Sequence, residues 1–250
     1  MPRRNFYKAV IFNLDGVLLD TERIICDAWK RAGGGLGFPL SEPLVRTLIG
    51  MSPADAEDVL VKLYGKRFPF AIAHQRMMTF MAAYTDNYGV AVQPGVHAVL
   101  DTLDRLHAPR AVISTAGIKA TSTLLLNTSL FPRVDAFITA EDVGAAALPP
   151  ALYLAAAERL NIEIERCLVF ENSDAGVRAA HTAGATVILV PHMQPLLPFI
   201  LPYVYQVEPS LEDVVEELPS LLAQGEPDTR WKKSIAGTTH TRTHKRKIDG

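Results

Sequence analysis

Several side chains with catalytic or metal-binding potential stand directly after short apolar segments of the chain. In chain order, these side chains are Asn13, Asp15, Ser114, Glu171 and Asn172. Carboxylate and amide oxygens can coordinate a hard cation, a carboxyl group can exchange protons, and a hydroxyl group can hydrogen-bond an anion. Residues 13 and 15 are two positions apart, so their side chains share one face of an extended strand.

The apolar segments predict the strands that position these side chains. They lack the polar alternation of a half-exposed strand, which indicates strands buried on both faces of a parallel sheet. The segments are residues 9–12, 111–114, 136–139, 167–170, 186–190 and 204–207. Open α/β sheets bind ligands beyond the carboxyl ends of their strands, and we expect Asn13 and Asp15 to project there.

Helical patterns alternate with the predicted strands. Apolar residues fall on one helical face in 96–106, and the alanine-rich segments 152–160 and 175–183 are similar. Strands alternating with helices of this length predict an α/β fold with a Rossmann-like, doubly wound parallel sheet.

One part of the chain breaks this alternation. Between residues 20 and 91 the pattern is helical throughout, with helices expected over 53–64 and 72–84. We interpret this insertion as a helical cap over the ligand end of the sheet. The predicted organisation is an α/β core from 1–19 and 92–225, a helical cap over 20–91, and a basic, disordered tail over 226–250.

Charge and cysteine content exclude some partners. The 250 residues carry 25 Lys and Arg against 27 Asp and Glu, a net charge of −2, yet residues 229–250 alone carry +6. The remaining −8 repels phosphate backbones, so we expect no specific nucleic-acid partner, although residues 230–247 could bind an anionic partner weakly. The two cysteines are far apart in the sequence, which predicts a reducing compartment such as the cytoplasm. No apolar segment is suited to a bilayer, so we expect no membrane partner.

The motifs around these side chains resemble those of a known superfamily. The sequence Asn-Leu-Asp-Gly-Val-Leu-Leu-Asp-Thr-Glu, which begins at Asn13, resembles the first motif of the haloacid dehalogenase (HAD) superfamily, Asp-x-Asp-Gly-Val/Thr. Ser114 matches the second motif, and Phe-Glu-Asn-Ser from residue 170 matches the fourth. The resemblance covers residues 5–225 and is closest to the helical-cap subgroup of sugar-phosphate phosphatases and β-phosphoglucomutase.

The resemblance implies phosphoryl transfer on a small phosphorylated metabolite. In active members the first Asp attacks phosphorus to form an aspartyl-phosphate, the second Asp acts as general acid/base, and a lysine and Mg²⁺ balance charge. Asp15 then occupies the acid/base position, and the substrate-binding positions are Gly16, Ser114 and Thr115. The implied metal positions are Asn13, Asp15, Glu171 and Asn172.

The chain departs from the family pattern at three of these positions. Asn13 stands at the nucleophile, Ala147 at the lysine and Asn172 at a metal-binding Asp. A carboxamide is a poor nucleophile and a weak Mg²⁺ ligand, and a lost cation removes stabilisation of transition-state charge. We therefore expect a weak or lost Mg²⁺ site and an inactive or severely impaired phosphatase homologue, a pseudophosphatase.

Four residues have two interpretations each. Asp15 either keeps its acid/base role or serves only in the turn, and Ser114 either contacts phosphate or caps the next helix. Glu171 could rescue a metal ion despite Asn172. Lys119 could replace the missing cation, or be an exposed helical lysine.

Two other functions remain open from the sequence. The chain could be an active Mg²⁺-dependent phosphatase or phosphomutase that uses Asp15, Ser114 and Glu171 with water as the nucleophile. Alternatively, the α/β body is a scaffold and the basic tail binds an anionic partner.

Overall fold

A six-stranded, wholly parallel sheet forms the centre of the molecule. The computed structural model describes residues 6–144, 150–193 and 197–223. The strands are β1 (Ala9–Asn13), β2 (Arg110–Ser114), β3 (Ala136–Thr139), β4 (Cys167–Glu171), β5 (Thr186–Leu189) and β6 (Gln206–Val207). Their order in the sheet is β3-β2-β1-β4-β5-β6. Strands β2 and β3 therefore lie on one side of β1, and β4, β5 and β6 lie on the other side. The predicted α/β fold is confirmed.

Strand β1 is buried on both of its faces. Val10 and Phe12 pack into one hydrophobic cluster, and Ala9 and Ile11 pack into the cluster on the opposite face of the sheet. This division follows from the two-residue side-chain period of a strand. The continuous apolar segment is therefore explained by helices on both sides of the sheet, as the sequence predicts.

Four helices lie between β1 and the second half of the core. They are α1 (Thr21–Gly34), α2 (Glu42–Leu48), α3 (Pro53–Tyr64) and α4 (Phe70–Tyr88). Trp29, Val45, Leu60 and other side chains form a hydrophobic cluster that belongs to these helices. The chain leaves and re-enters the core at one place, since Leu19 pairs antiparallel with Val92.

The remaining helices flank the sheet. They are α5 (Val96–Leu106), α6 (Ile118–Asn127), α7 (Ala140–Val143), α8 (Pro150–Leu160), α9 (Asp174–Ala183), α10 (Leu211–Val214) and α11 (Leu218–Leu221). The predicted helix over 96–106 matches α5, and those over 152–160 and 175–183 begin one or two residues late. Within the described residues, the helices are too short or too polar to cross a membrane.

The last strand is shorter than the sequence predicts. Residues 204–207 form an apolar segment, yet only Gln206–Val207 is a strand, paired with β5. A 3-10 helix spans Pro198–Tyr203, and the backbone amide of Val204 donates to the carbonyl of Leu201. That local hydrogen bond delays the start of β6, so the prediction of a strand from residue 204 was wrong.

Candidate functional site

The site begins where β1 ends in a tight turn. Gly16 has φ of +86°, a conformation that favours glycine, and its amide donates to the carbonyl of Leu19. A β-carbon on Gly16 would lie 2.1 Å from Nδ2 of Asn172 and 2.9 Å from the carboxyl of Glu22. The turn therefore requires a glycine both for its backbone angle and for the close approach of two polar side chains.

Asp15 is held by two hydroxyl groups. Thr21 donates to its Oδ1 at 2.8 Å, and Ser114 donates to its Oδ2 at 3.1 Å. Burial raises the pKa of the Asp15 carboxyl above its usual range, while the two hydroxyl donors oppose that shift. Both oxygens of this carboxyl group therefore have a donor, and the group is held at the ligand end of the sheet.

Ser114 joins the end of β2 to the end of β1. Besides donating to Asp15, its hydroxyl oxygen accepts from the amide of Ala116 at 3.1 Å. Helix α6 begins later, with Gly117 as its N-cap residue, so Ser114 is not the N-cap of that helix. Thr115 is exposed beside it, and Lys119 is exposed in the first turn of α6.

Two side-chain amides meet at the positions where the family pattern has carboxylates. Nδ2 of Asn13 donates to the backbone carbonyl of Asp15 at 3.1 Å and to Oδ1 of Asn172 at 2.9 Å. Nδ2 of Asn172 donates onward to Oε1 of Glu22 at 2.6 Å. The ends of β1 and β4 are thereby linked to the start of α1 by hydrogen bonds from amides.

Glu22 and His192 are site residues to which the sequence analysis assigned no role. Glu22 is only 1% exposed, and its Oε2 lies 2.6 Å from Nδ1 of His192 and accepts from the amide of Met193 at 3.0 Å. The other ring nitrogen of His192 lies 3.4 Å from the carboxylate of Asp20. Glu22 ends the first motif, which was a usable signal, whereas the position of His192 in the sequence gives none.

The buried carboxylate of Glu171 accepts hydrogen bonds from several groups of the protein itself. Its carboxylate accepts from the hydroxyl of Tyr153 at 2.7 Å, and also from the amides of Asn172 and Ser173 and the Ser173 hydroxyl. A β-carbon on Gly176 would lie 2.2 Å from this carboxyl. Burial raises the pKa of Glu171, and the hydrogen bonds from Tyr153 and Ser173 oppose that shift. Its oxygens are therefore committed to neighbouring donors.

The residues at the expected metal positions do not fit Mg²⁺. Mg²⁺ is held by oxygens at about 2.0–2.1 Å, and charged carboxylates are its strongest protein ligands. Here Asn13 directs N–H groups at the Asp15 carbonyl and at Asn172, so donors face the oxygens that a cation would share. Among the residues that the structure describes, no three His, Cys, Asp or Glu side chains are grouped to hold a metal. Ala147, at the lysine position, lies outside the described residues.

Relatives of the chain are phosphatases by name. It is 28% identical to the phosphorylated carbohydrates phosphatase of Thermotoga maritima over 182 residues, which cover 71% of this chain and 82% of that protein. It is 26% identical to the fructose-1-phosphate phosphatase YqaB of Escherichia coli, over 71% of this chain and 93% of that protein.

A solved structure and a family model agree with these relatives. A HAD family hydrolase from Deinococcus radiodurans, solved with bound phosphate and sodium, superposes with a TM-score of 0.71 at 26% identity. The match covers 88% of this chain and all of that one. The family model described as haloacid dehalogenase-like hydrolase matches residues 7–184. The chain therefore belongs to the haloacid dehalogenase-like hydrolases.

Proposed function

We propose that this chain is a catalytically inactive, or severely impaired, phosphatase homologue. One observation carries the proposal: the side chain at the nucleophile position, Asn13, is an amide whose nitrogen is hydrogen-bonded to Asp15 and Asn172. An amide has no free anionic oxygen to attack phosphorus, and its lone pair is delocalised. The covalent route of the family is therefore closed at its first step.

Charge at the site supports the same proposal. A phosphoryl group brings negative charge, and the chain of contacts that starts at Asn13 already contains the carboxylates of Glu22 and Asp20. The imidazole of His192 already lies between those two carboxylates. Lys119 is exposed in α6, and the family's lysine position is Ala147. Neither of these two positions would then supply the preorganised cation that phosphoryl transfer uses.

The proposal is tested by phosphate release from a panel of sugar phosphates, with Mg²⁺ and with EDTA. We expect no release above a heat-denatured control in either condition. An authentic phosphatase of the same family, assayed in parallel, confirms that the panel contains a usable substrate. Mg²⁺-dependent release that disappears in the Asp15→Ala variant would contradict the proposal.

That contradicting result would support the second candidate, an active phosphatase on a small phosphorylated metabolite. The observation in its favour is that Asp15 and Ser114 keep a hydrogen-bonded arrangement at the ends of β1 and β2, with the pKa of Asp15 raised by burial. In this case Asp15 would act as general base on water. Turnover would then persist without any phosphoenzyme, because residue 13 takes no part.

The basic tail, residues 230–247, lies outside the described residues, and its binding to an anionic partner is a separate proposal. It rests on charge alone, since 229–250 carries +6 and the rest of the chain −8. Deleting 229–250 should abolish salt-sensitive binding to heparin and leave the melting temperature unchanged.

We place the protein in the cytoplasm, because its two cysteines are buried, unpaired and suited to a reducing compartment.

A further inference from the structure

The two Asp-to-Asn departures touch each other in the folded protein. Asn13 and Asn172 are 159 residues apart in sequence, and Nδ2 of the first donates to Oδ1 of the second at 2.9 Å. The second N–H of Asn13 points to the backbone carbonyl of Asp15 at 3.1 Å. One amide group thus bridges two oxygens that both belong to residues at the expected metal positions.

A carboxylate at residue 13 or at residue 172 could not donate the hydrogen bonds that the amide at that position now donates. An ionised carboxylate is only an acceptor, so at residue 13 it would face the Asp15 carbonyl without a proton between them. At residue 172 it would face the carboxylate of Glu22, to which Asn172 now donates at 2.6 Å. Like charges in direct contact require a cation or a proton between them. The amides supply the protons themselves.

Glu22, at the end of the hydrogen-bonded chain Asn13–Asn172–Glu22, is held in place as well. Glu22 is 1% exposed, and its second oxygen is held by His192 and by the amide of Met193. Rotating the Asn172 amide would turn its oxygen toward the Glu22 carboxylate, with no proton between the two. Rotating the Asn13 amide would break both of its hydrogen bonds. The orientation of each amide is therefore set by its neighbours.

We propose that the Asn13 and Asn172 amides replace a divalent cation, forming a hydrogen-bonded centre that is complete without metal. The two positions act as a pair. Mg²⁺ then neither binds at this centre nor stabilises the fold, and restoring both carboxylates makes stability dependent on Mg²⁺. This inference concerns metal binding and is separate from the absence of turnover.

The test is thermal unfolding of the full chain in Mg²⁺ and in EDTA, with isothermal titration of Mg²⁺ into the folded protein. We expect the native chain to show the same midpoint in both conditions and no heat of binding. The Asn13→Asp/Asn172→Asp variant should unfold about 5–15 °C lower in EDTA and recover most of that loss in Mg²⁺. The matched control is Asn87→Asp/Asn127→Asp, which adds the same charge at two exposed helical positions.

Two results would overturn the inference. One is a native chain whose midpoint rises with Mg²⁺ more than the control's does, or that binds Mg²⁺ by titration. The other is a folded Asn13→Asp/Asn172→Asp variant whose unfolding midpoint is the same in Mg²⁺ and in EDTA. If the double variant does not fold, the Asn172→Asp single variant and the native chain supply the same comparison. Turnover is scored separately: Mg²⁺ binding without turnover contradicts this inference alone, and Mg²⁺-independent turnover contradicts the proposed inactivity alone.

Discussion

Glu22 is the residue whose removal should damage the site most. It is buried at the start of α1 and accepts hydrogen bonds from Asn172 at 2.6 Å and from the Met193 amide at 3.0 Å. Its contact with His192 is also 2.6 Å long. Through these partners it joins the first turn of α1 to the ends of β4 and β5. The Glu22→Ala variant removes all three contacts at once.

The expected cost follows from the partners that would be left behind. Each buried donor without an acceptor costs about 1–3 kcal/mol. The side chain of His192 is 16% exposed and can recover a hydrogen bond to water, so we take the lower half of that range for it. The sum is about 3–8 kcal/mol for Glu22→Ala, equivalent to a midpoint about 6–32 °C lower. Glu22→Gln keeps the volume and one acceptor oxygen, and should cost about 1–3 kcal/mol.

The assay is urea unfolding followed by far-UV circular dichroism, with thermal unfolding as a second measure. Glu57→Ala and Glu57→Gln are the matched controls, since Glu57 is an exposed residue of α3. We expect both controls to stay within about 0.5 kcal/mol of the native chain. A Glu22→Ala variant that is no less stable than Glu57→Ala would refute the claim that Glu22 organises the site.

Two further predictions concern the backbone and the cysteines. Gly16→Ala should destabilise the protein by about 1–3 kcal/mol, because of its positive φ and the contact with Asn172. Gly34→Ala, at a helical position with open space, should stabilise it by about 0.5–1 kcal/mol, and unfolding midpoints in the reverse order would contradict the structure. Burial raises the pKa of Cys26 to about 11 and of Cys167 to about 12. Both thiols should therefore react with a chromogenic disulfide reagent at neutral pH only after unfolding, and rapid reaction of the native protein would be the contrary result.

The fold was predictable because its strands carry an unambiguous pattern. An apolar segment of four or five residues followed by a polar strand end, repeated between helices, is compatible with few architectures other than a parallel sheet. Helix α3 was predictable to the residue, since Pro53 sits at its first position and Ser52 accepts from the amide of Asp55. The start of β6 was not predictable to the residue. A proline-containing 3-10 helix ends immediately before the apolar segment 204–207, and the helix is equally apolar, so the sequence does not mark the boundary between them.

The site was only partly predictable, since its chemistry depends on which side chains face one another. Motif spacing brought Asn13, Asp15, Ser114 and Asn172 to one end of the sheet, where the structure places them. It could not reveal that His192 approaches Glu22, because that contact spans 170 residues and depends on the path of the loop after β5. Nor could it reveal that the two amides are hydrogen-bonded to each other, since amide orientation is set by neighbours in three dimensions.

We attribute the proposed lack of phosphatase activity in this haloacid dehalogenase-like chain to three substituted positions, Asn13, Ala147 and Asn172. The most direct measurement is Mg²⁺-dependent phosphate release by the Asn13→Asp/Ala147→Lys/Asn172→Asp variant, compared with the native chain on the same panel of sugar phosphates. We expect release by the variant and none by the native chain. Release by the native chain at a rate equal to the variant's would contradict it.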